Sequence, residues 1–364
     1  MPPLNSIELQ NDMVSMLKIT PQNLVAEKED VTTKSLRAEE SAFITDVQHA
    51  QAQSGQMGHK DSNYWQSINE DIPITFYRNQ QKGIGDIISA LSAVTQLREL
   101  VPNKIIFQTH IGFKPIIDCS PHVDEFRGLE DKIAEGEFLD ISKVCALSEI
   151  RSIAETGDAP KSRNQIFTES IGLSYKFQRP TFLAPKSAIN EITPHFRMND
   201  ISNGNIGLVL NSAEKWKDYP YNLELLKDLC KKGFTVYTLD INKGIDYKHP
   251  NHIPVTGLSL TALILFVSYL DLLISPDTGT LHISEALMVP SIGLFGSMGV
   301  GRRAGAYQYR TTQYIADSNC GVQPCYYARC RGSNQYQPCM EMIHPRTIVK
   351  SVSKFFTEGE FDER

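Results

Sequence analysis

The sequence lacks an excess of positive charge and a long apolar run. Its 36 lysines and arginines are outnumbered by 42 aspartates and glutamates, which gives a formal net charge of −6. Proteins that bind nucleic acid through its phosphates are usually basic, so a nucleic-acid partner is not expected. The most apolar stretch, Leu258 to Leu270, is interrupted by serine and threonine. It is also shorter than the roughly 18 residues of a membrane-spanning helix, so no transmembrane segment is predicted.

No secretory leader is predicted, because the sequence does not open with a basic region followed by an apolar stretch. The expected location is the cytoplasm, either free or peripheral to the inner membrane. A reducing compartment disfavours a disulfide framework, which matters for the seven cysteines. Three of them are scattered and four lie close together: Cys119, Cys145 and Cys230, then Cys320, Cys325, Cys330 and Cys339.

The four clustered cysteines are candidate metal ligands. Four thiolates in a short loop can close a tetrahedral site for a structural zinc or iron ion. Their spacings of four, four and eight residues are looser than the usual Cys-x2-Cys, so reduced thiols or one or two disulfides stay open as alternatives. A closed four-cysteine site has no open coordination position, so a catalytic role is not expected.

The pattern of the chain predicts an α/β protein with five segments. They are a polar extension over 1–70, a doubly wound domain over 71–178, a linker over 179–195, a second such domain over 196–344, and a C-terminal helix over 345–364. Strand, turn, helix and strand alternate in both domains, which predicts parallel sheets with right-handed crossovers. The extension is expected to be flexible or to form an oligomer contact.

A ligand of two doubly wound domains is expected between them, at the carboxyl ends of the strands. The strongest motif lies at such an end, where a buried strand stops at Ser275 and a helix begins after Gly279. Backbone N–H groups at a helix N-terminus bind anions, and Asp277, Thr278 and His282 surround this one. The alternative is structural: Asp277 and Thr278 cap the helix and His282 packs.

This segment resembles the donor-site signature of glycosyltransferase family 9, the bacterial ADP-heptose:lipopolysaccharide heptosyltransferases and their relatives. The matching residues are Asp277-Thr278-Gly279-x-x-His282, Ala286, Pro290 and Leu294-Phe295-Gly296. Two weaker pieces occur in the family's order, Gly85-Asp86 and Lys217-Asp218-Tyr219-Pro220. The resemblance covers roughly residues 72 to 356.

The resemblance implies a GT-B fold and inversion at the anomeric carbon. It assigns Asp86 as general base and Lys217 as a ligand of the donor phosphates, and Asp240 as the acidic residue that contacts the donor. Taken alone, Asp86 would be a helix N-cap and Lys217 a solvated lysine. No Asp-x-Asp pair occurs in the cleft loops, so catalysis is expected to need no metal or other cofactor.

The implied donor is a nucleotide-diphosphate sugar, with ADP-heptose favoured, and the implied acceptor is a hydroxyl on a glycan or lipopolysaccharide. A protein or a modified nucleic acid stays open as acceptor. The rival interpretation is a nucleotide-sugar-binding assembly protein without turnover. Arg302 and Arg303, in a loop near the cleft, either hold a phosphate or are solvated.

Overall fold

A computed structural model of the chain describes the residues 60–81, 83–145, 148, 161–176, 179–196, 203–240, 244–300, 312–315, 338–359 and 361. The chain divides into two compact units, one of residues 1–59 with 143–160, the other of residues 60–142 with 161–364. The second unit contains two parallel β-sheets with helices, as the α/β prediction requires.

The first sheet has four parallel strands in the order β3-β2-β1-β4. Its strands are β1 (Ile74–Arg78), β2 (Ile105–Thr109), β3 (Glu125–Arg127) and β4 (Glu137–Asp140). Its helices are α1 (Ser62–Ser67), α2 (Ile84–Arg98), α3 (Lys114–Ile117) and α4 (Arg163–Ser170). The two central strands β1 and β2 are almost wholly buried, as expected for a parallel sheet that is covered on both faces.

Helix α2 begins where the chain leaves the carboxyl end of β1. Gly83 precedes it with a φ of 98°, a left-handed conformation that glycine adopts without steric cost. Every residue from Ile87 to Leu97 is buried, and α4 covers the side of α2 that carries Ser92 and Gln96. Gln96 Nε2 donates to Thr168 Oγ1 of α4 at 3.1 Å.

The second sheet has six parallel strands in the order β10-β9-β8-β5-β6-β7. They are β5 (Asn205–Val209), β6 (Thr235–Asp240), β7 (His252–Thr256), β8 (Leu272–Pro276), β9 (Ser291–Leu294) and β10 (Thr312–Ile315). This is the doubly wound order, in which the direction of strand addition reverses between β5 and β8. The reversal opens a crevice at the carboxyl ends of these two strands.

Helices and short 3-10 turns complete the second half. The helices are α5 (Ile189–Ile192), α6 (Asn222–Lys231), α7 (Leu260–Val267), α8 (Gly279–Ala286), α9 (Pro338–Glu341) and α10 (Pro345–Glu358). Helix α10 buries Ile348, Val349 and Val352 in the same apolar core as strands β5, β6, β8 and β9. The C-terminal helix therefore packs on the second sheet.

The polar extension that the sequence predicts includes residues that pack on the first sheet. Trp65 of α1 is fully buried, and its Nε1 donates to the carbonyl oxygen of Ile171 at 2.8 Å. Lys60 and Tyr64 both bond to the carboxylate of Glu137 on β4. The contacts begin at the first residue of the described range, ten residues before the predicted domain boundary.

The predicted linker is bonded to a helix of the first half and to the start of a helix of the second half. The amide of Thr181 donates to Thr95 Oγ1 of α2 at 3.1 Å, and Glu191 accepts from the amide of Ser259 before α7 at 2.7 Å. The domain boundaries themselves stay a prediction.

Within the part of the chain that is described, no helix combines the length and the apolar character needed to cross a membrane.

Candidate functional site

An ion pair joins the two strand ends that border the crevice of the second sheet. Lys217 follows β5 in a 3-10 turn over Lys215–Lys217, and Asp277 follows β8. Lys217 Nζ lies 3.0 Å from Asp277 Oδ2, and the two side chains are 13% and 7% exposed. Lys217 Nζ is also 2.7 Å from Glu214 Oε2. Lys217 is therefore a partly buried, paired lysine and not a solvated one.

The first turn of α8 carries a buried histidine beside this pair. His282 Nε2 lies 3.9 Å from Asp277 Oδ1, and its Nδ1 lies 3.6 Å from Glu285 Oε2. The side chain of Glu285 is 0% exposed. Glu285 was not predicted from the sequence, although an acid three residues after a histidine shares its helix face.

Thr278 is the N-cap of α8 by its backbone, which is extended with φ −135° and ψ 169°, but its side chain makes no capping hydrogen bond. Its Oγ1 lies 3.0 Å from Ser275 Oγ instead. The carboxylate of Asp277 is paired with Lys217. The part of the structural alternative in which the Thr278 side chain caps the helix is therefore wrong.

The first turns of α2 and α8 pack directly against each other. A Cβ added at Gly85 would lie 2.4 Å from His282 Cδ2, and one added at Gly279 would lie 2.8 Å from Ile84 Cβ. Neither position has room for a side chain, so both glycines are needed for this close approach. The contact brings the Gly85-Asp86 segment and the Asp277–His282 segment together, as their joint assignment to one site requires.

Asp86 is fixed by two arginines. Its Oδ2 lies 3.2 Å from Nη2 of Arg78, and its Oδ1 is ion-paired with Arg163. Arg78 ends β1 and is 1% exposed, and Arg163 opens α4. The N-cap of α2 is Gly83, without a side-chain bond, so the interpretation of Asp86 as a plain N-cap is wrong. Neither arginine was predicted from the sequence.

Asp240 lies at the carboxyl end of β6, the strand next to β5. Its Oδ2 accepts from Nδ2 of Asn211, which follows β5. The loop after Asn211, which carries Lys217, is anchored by Asp218, whose Oδ1 accepts a hydrogen bond from the amide of Ser212 at 2.6 Å. Tyr219 is buried, and its hydroxyl donates to the carbonyl oxygen of Ile343 at 2.7 Å. Burial raises the pKa of this hydroxyl. These bonds hold the turn that presents Lys217.

The cysteine cluster and the arginine loop lie mostly outside the described residues. Cys320, Cys325 and Cys330 are among these undescribed residues, as are Arg302 and Arg303. Cys339 is described and half-buried. Among the residues that the structure describes, no group of three or more histidines, cysteines or acids could hold a metal ion. The metal prediction for the four cysteines stays untested.

Comparison with known proteins bears on the same residues. The sequence model of glycosyltransferase family 9 (heptosyltransferase) matches residues 161–334, just under half of the chain. The resemblance to glycosyltransferase family 9 is confirmed. The matched region contains Lys217, Asp240 and the Asp277–His282 segment, whereas Gly85 and Asp86 lie before it. No curated protein sequence matches the chain.

Solved structures confirm the GT-B fold. ADP-heptose lipopolysaccharide heptosyltransferase II of E. coli is 12% identical, with a TM-score of 0.59 over 79% of this chain and 99% of that one. A family 9 glycosyltransferase of Veillonella parvula is 14% identical, with a TM-score of 0.61 over 80% and 99%. The iron-containing dodecameric glycosyltransferase TibC of enterotoxigenic E. coli is 12% identical, with a TM-score of 0.61 over 79% and 77%.

Proposed function

We propose that the chain is an inverting glycosyltransferase that transfers a sugar, a heptose in the first instance, from a nucleotide-diphosphate donor to an acceptor hydroxyl. One observation carries the proposal. Lys217 and Asp277 meet at the switch point of the second sheet beside His282, and His282 packs on Gly85, the neighbour of Asp86. The proposed donor site and the proposed base therefore border one another.

The donor side supplies positive charge for a diphosphate. The ammonium of Lys217 is a compact point charge, and the N-terminus of α8 adds outward N–H groups and the positive end of the helix dipole. Asp277 holds Lys217 at 3.0 Å. In the proposal, Thr278 and Gly279 border the phosphates, and Asp240 contacts the rest of the donor from the end of β6.

The acceptor side supplies the base. Inversion requires the acceptor oxygen to attack the anomeric carbon from the face opposite the leaving diphosphate. The acceptor O–H proton passes to the carboxylate of Asp86 while the new C–O bond forms. The bond from the anomeric carbon to the diphosphate oxygen breaks, and the nucleoside diphosphate leaves with the electron pair. Arg78 and Arg163 hold one carboxylate oxygen each, so the base has a fixed orientation.

The identity of the donor is suggested by related structures. One structure of TibC contains ADP-D-β-D-heptose, and one of the E. coli heptosyltransferase WaaC contains ADP. We extend this chemistry to the present chain and propose ADP-heptose as donor, with a hydroxyl on a glycan or lipopolysaccharide as acceptor. A protein acceptor, or donor binding without turnover, would be distinguished by the assays below.

The test compares donor binding with transfer in two variants. Asp86→Ala is expected to bind ADP as the wild type does, by calorimetry, and to release no ADP from ADP-heptose and acceptor. Lys217→Ala is expected to bind ADP about tenfold more weakly, because a bond to a charged group is lost. Transfer is expected to persist in EDTA, because positive side chains and N–H groups serve the leaving group.

Two control variants keep these results specific. Lys215 lies two residues from Lys217, and its side chain is 77% exposed, so Lys215→Ala should leave ADP binding unchanged. Asp118 forms an exposed pair with Lys114, so Asp118→Ala should leave transfer unchanged. Normal turnover by Asp86→Ala would remove Asp86 from the mechanism. ADP binding without transfer to any acceptor would instead favour a nucleotide-sugar-binding protein.

A further inference from the structure

We infer that Glu285 is a positioning residue that orients the imidazole of His282, and the inference rests on the proposed donor site. Glu285 lies on α8 one turn after His282. Its Oε2 is 3.6 Å from His282 Nδ1, and its side chain is 0% exposed. No motif in the sequence analysis included this residue.

The burial of this carboxylate needs a reason. The neighbouring positions Leu281, Ile283 and Ala286 on α8 are all fully buried and apolar. Taking a carboxylate out of water is costly unless a charged or hydrogen-bonding partner compensates it. The imidazole of His282 lies within reach to do so, and an apolar side chain would fill the same space at lower cost. A role beyond packing therefore favours glutamate at this position.

The imidazole of His282 is enclosed on three sides. Glu285 faces its Nδ1 and Asp277 faces its Nε2, at 3.6 and 3.9 Å. Gly85 of α2 lies against the carbon edge of the ring. The negative charge of Glu285 favours a proton on Nδ1 from 3.6 Å, whereas Asp277, which faces Nε2 from 3.9 Å, shares its charge with Lys217. Nε2 is then directed to the side of Asp277, which binds Lys217.

The consequence is a chain of four polar groups that reaches from the core to the proposed phosphate site: Glu285, His282, Asp277 and Lys217. Their charges alternate in sign when the imidazole is protonated. Each group is within 4 Å of the next. Glu285 is the most deeply buried member, so it acts on the donor through His282 and does not touch the donor itself.

The experiment uses the full chain and replaces the carboxylate in two ways. Glu285→Met keeps the approximate volume but removes the carboxylate oxygens that face Nδ1, whereas Glu285→Gln keeps one such oxygen. ¹⁵N spectra of histidine-labelled protein report the tautomer of His282, with the His282→Asn variant to assign its signals. ADP affinity is measured by calorimetry and thermal stability by unfolding.

The expected result separates positioning from packing. Glu285→Met should lose the Nδ1–H tautomer preference and bind ADP about tenfold more weakly, yet unfold at a temperature no lower than the wild type. Glu285→Gln should retain the tautomer and much of the affinity. Combined with His282→Asn, Glu285→Met should weaken ADP binding no further, because both act through one ring.

Two outcomes would overturn the inference. One is an unchanged His282 tautomer in Glu285→Met, and the other is ADP affinity lost only in proportion to thermal stability. The tautomer is read without turnover and without ligand. Failure of the wild type to bind ADP would therefore count against the proposed function, while the tautomer would still decide the role of Glu285.

Discussion

Replacing Gly85 by alanine tests the contact on which the candidate site depends. The added methyl carbon would lie 2.4 Å from Cδ2 and 2.8 Å from Nε2 of His282. An ordinary carbon–carbon contact is about 3.5 Å, so ring and methyl group must separate by about 1 Å. The ring has Asp277 and Glu285 at its two nitrogens, so it cannot yield without changing those distances.

The effects on stability and on activity should differ. Overpacking costs about 1–3 kcal/mol, and alanine in place of glycine within a helix offsets about 1 kcal/mol of this. We therefore expect the Gly85→Ala variant to lose about 0–2 kcal/mol of its unfolding free energy, measured by denaturant unfolding. A displacement of about 1 Å can lower a rate about 10²-fold, so transfer should fall far more than stability.

Gly128→Ala is the matched control, because its added methyl group would meet only Asp131 Oδ2 at an ordinary 3.5 Å. It should fold and transfer as the wild type does. Wild-type ADP affinity and transfer in Gly85→Ala would refute the reasoning, since the two first turns would then not form one site. Equal losses in both variants would point to general destabilisation.

Two further predictions concern the ion pair between Lys60 and Glu137 and the four clustered cysteines. Burial of the Glu137 carboxyl opposes its ionisation, but bonds from Lys60 and Tyr64 outweigh burial and lower its pKa. A lowered pKa stabilises the fold above the unfolded value of about 4.3, and this stability is lost as the pH falls through the folded pKa. The unfolding free energy of the wild type should therefore exceed that of Glu137→Gln at pH 7 and converge with it towards pH 3, and an equal difference at both pH values would contradict the assignment. If the cysteines over 320–339 hold zinc or iron, elemental analysis of reduced protein will find about one equivalent per chain, lost in Cys325→Ser; metal-free protein ends that prediction.

The sequence predicted the parts of the site that depend on strand ends. Parallel strands with helical crossovers bring their carboxyl ends to one edge, so residues just after strands, such as Lys217, Asp240 and Asp277, were expected to be neighbours. The structure places Lys217 and Asp277 3.0 Å apart. The same rule located the turn at Gly85 and Asp86 on the first sheet.

The partners of these residues were not predictable in the same way. Arg163 reaches Asp86 from a helix 77 positions later, and no local periodicity encodes such a contact. Arginine is rarely fully buried, so nothing in the sequence indicates that Arg78 is only 1% exposed. Glu285 would ordinarily be read as a solvated helix residue, because glutamate is rarely buried without a partner.

Two short strands of the first sheet, β3 and β4, were not predictable individually, for a physical reason. β3 and β4 have three and four residues and mix charged with aromatic side chains. Such short, mixed segments show neither the two-residue alternation of a strand nor the 3.6-residue period of a helix. Their pairing comes from the neighbouring strands rather than from their own sequence. Trp65 was likewise assigned to the extension, since one buried aromatic in a polar segment gives no repeating pattern.

The edge of the second sheet that β7 forms has a consequence for self-association. Strand β7 forms that edge, and it contains the exposed Pro254 opposite Thr238 of β6. Proline has no N–H to donate, so an incoming strand would find a gap in the row of donors at the middle of β7. Continuous sheet growth from one copy to the next is thereby disfavoured at this edge.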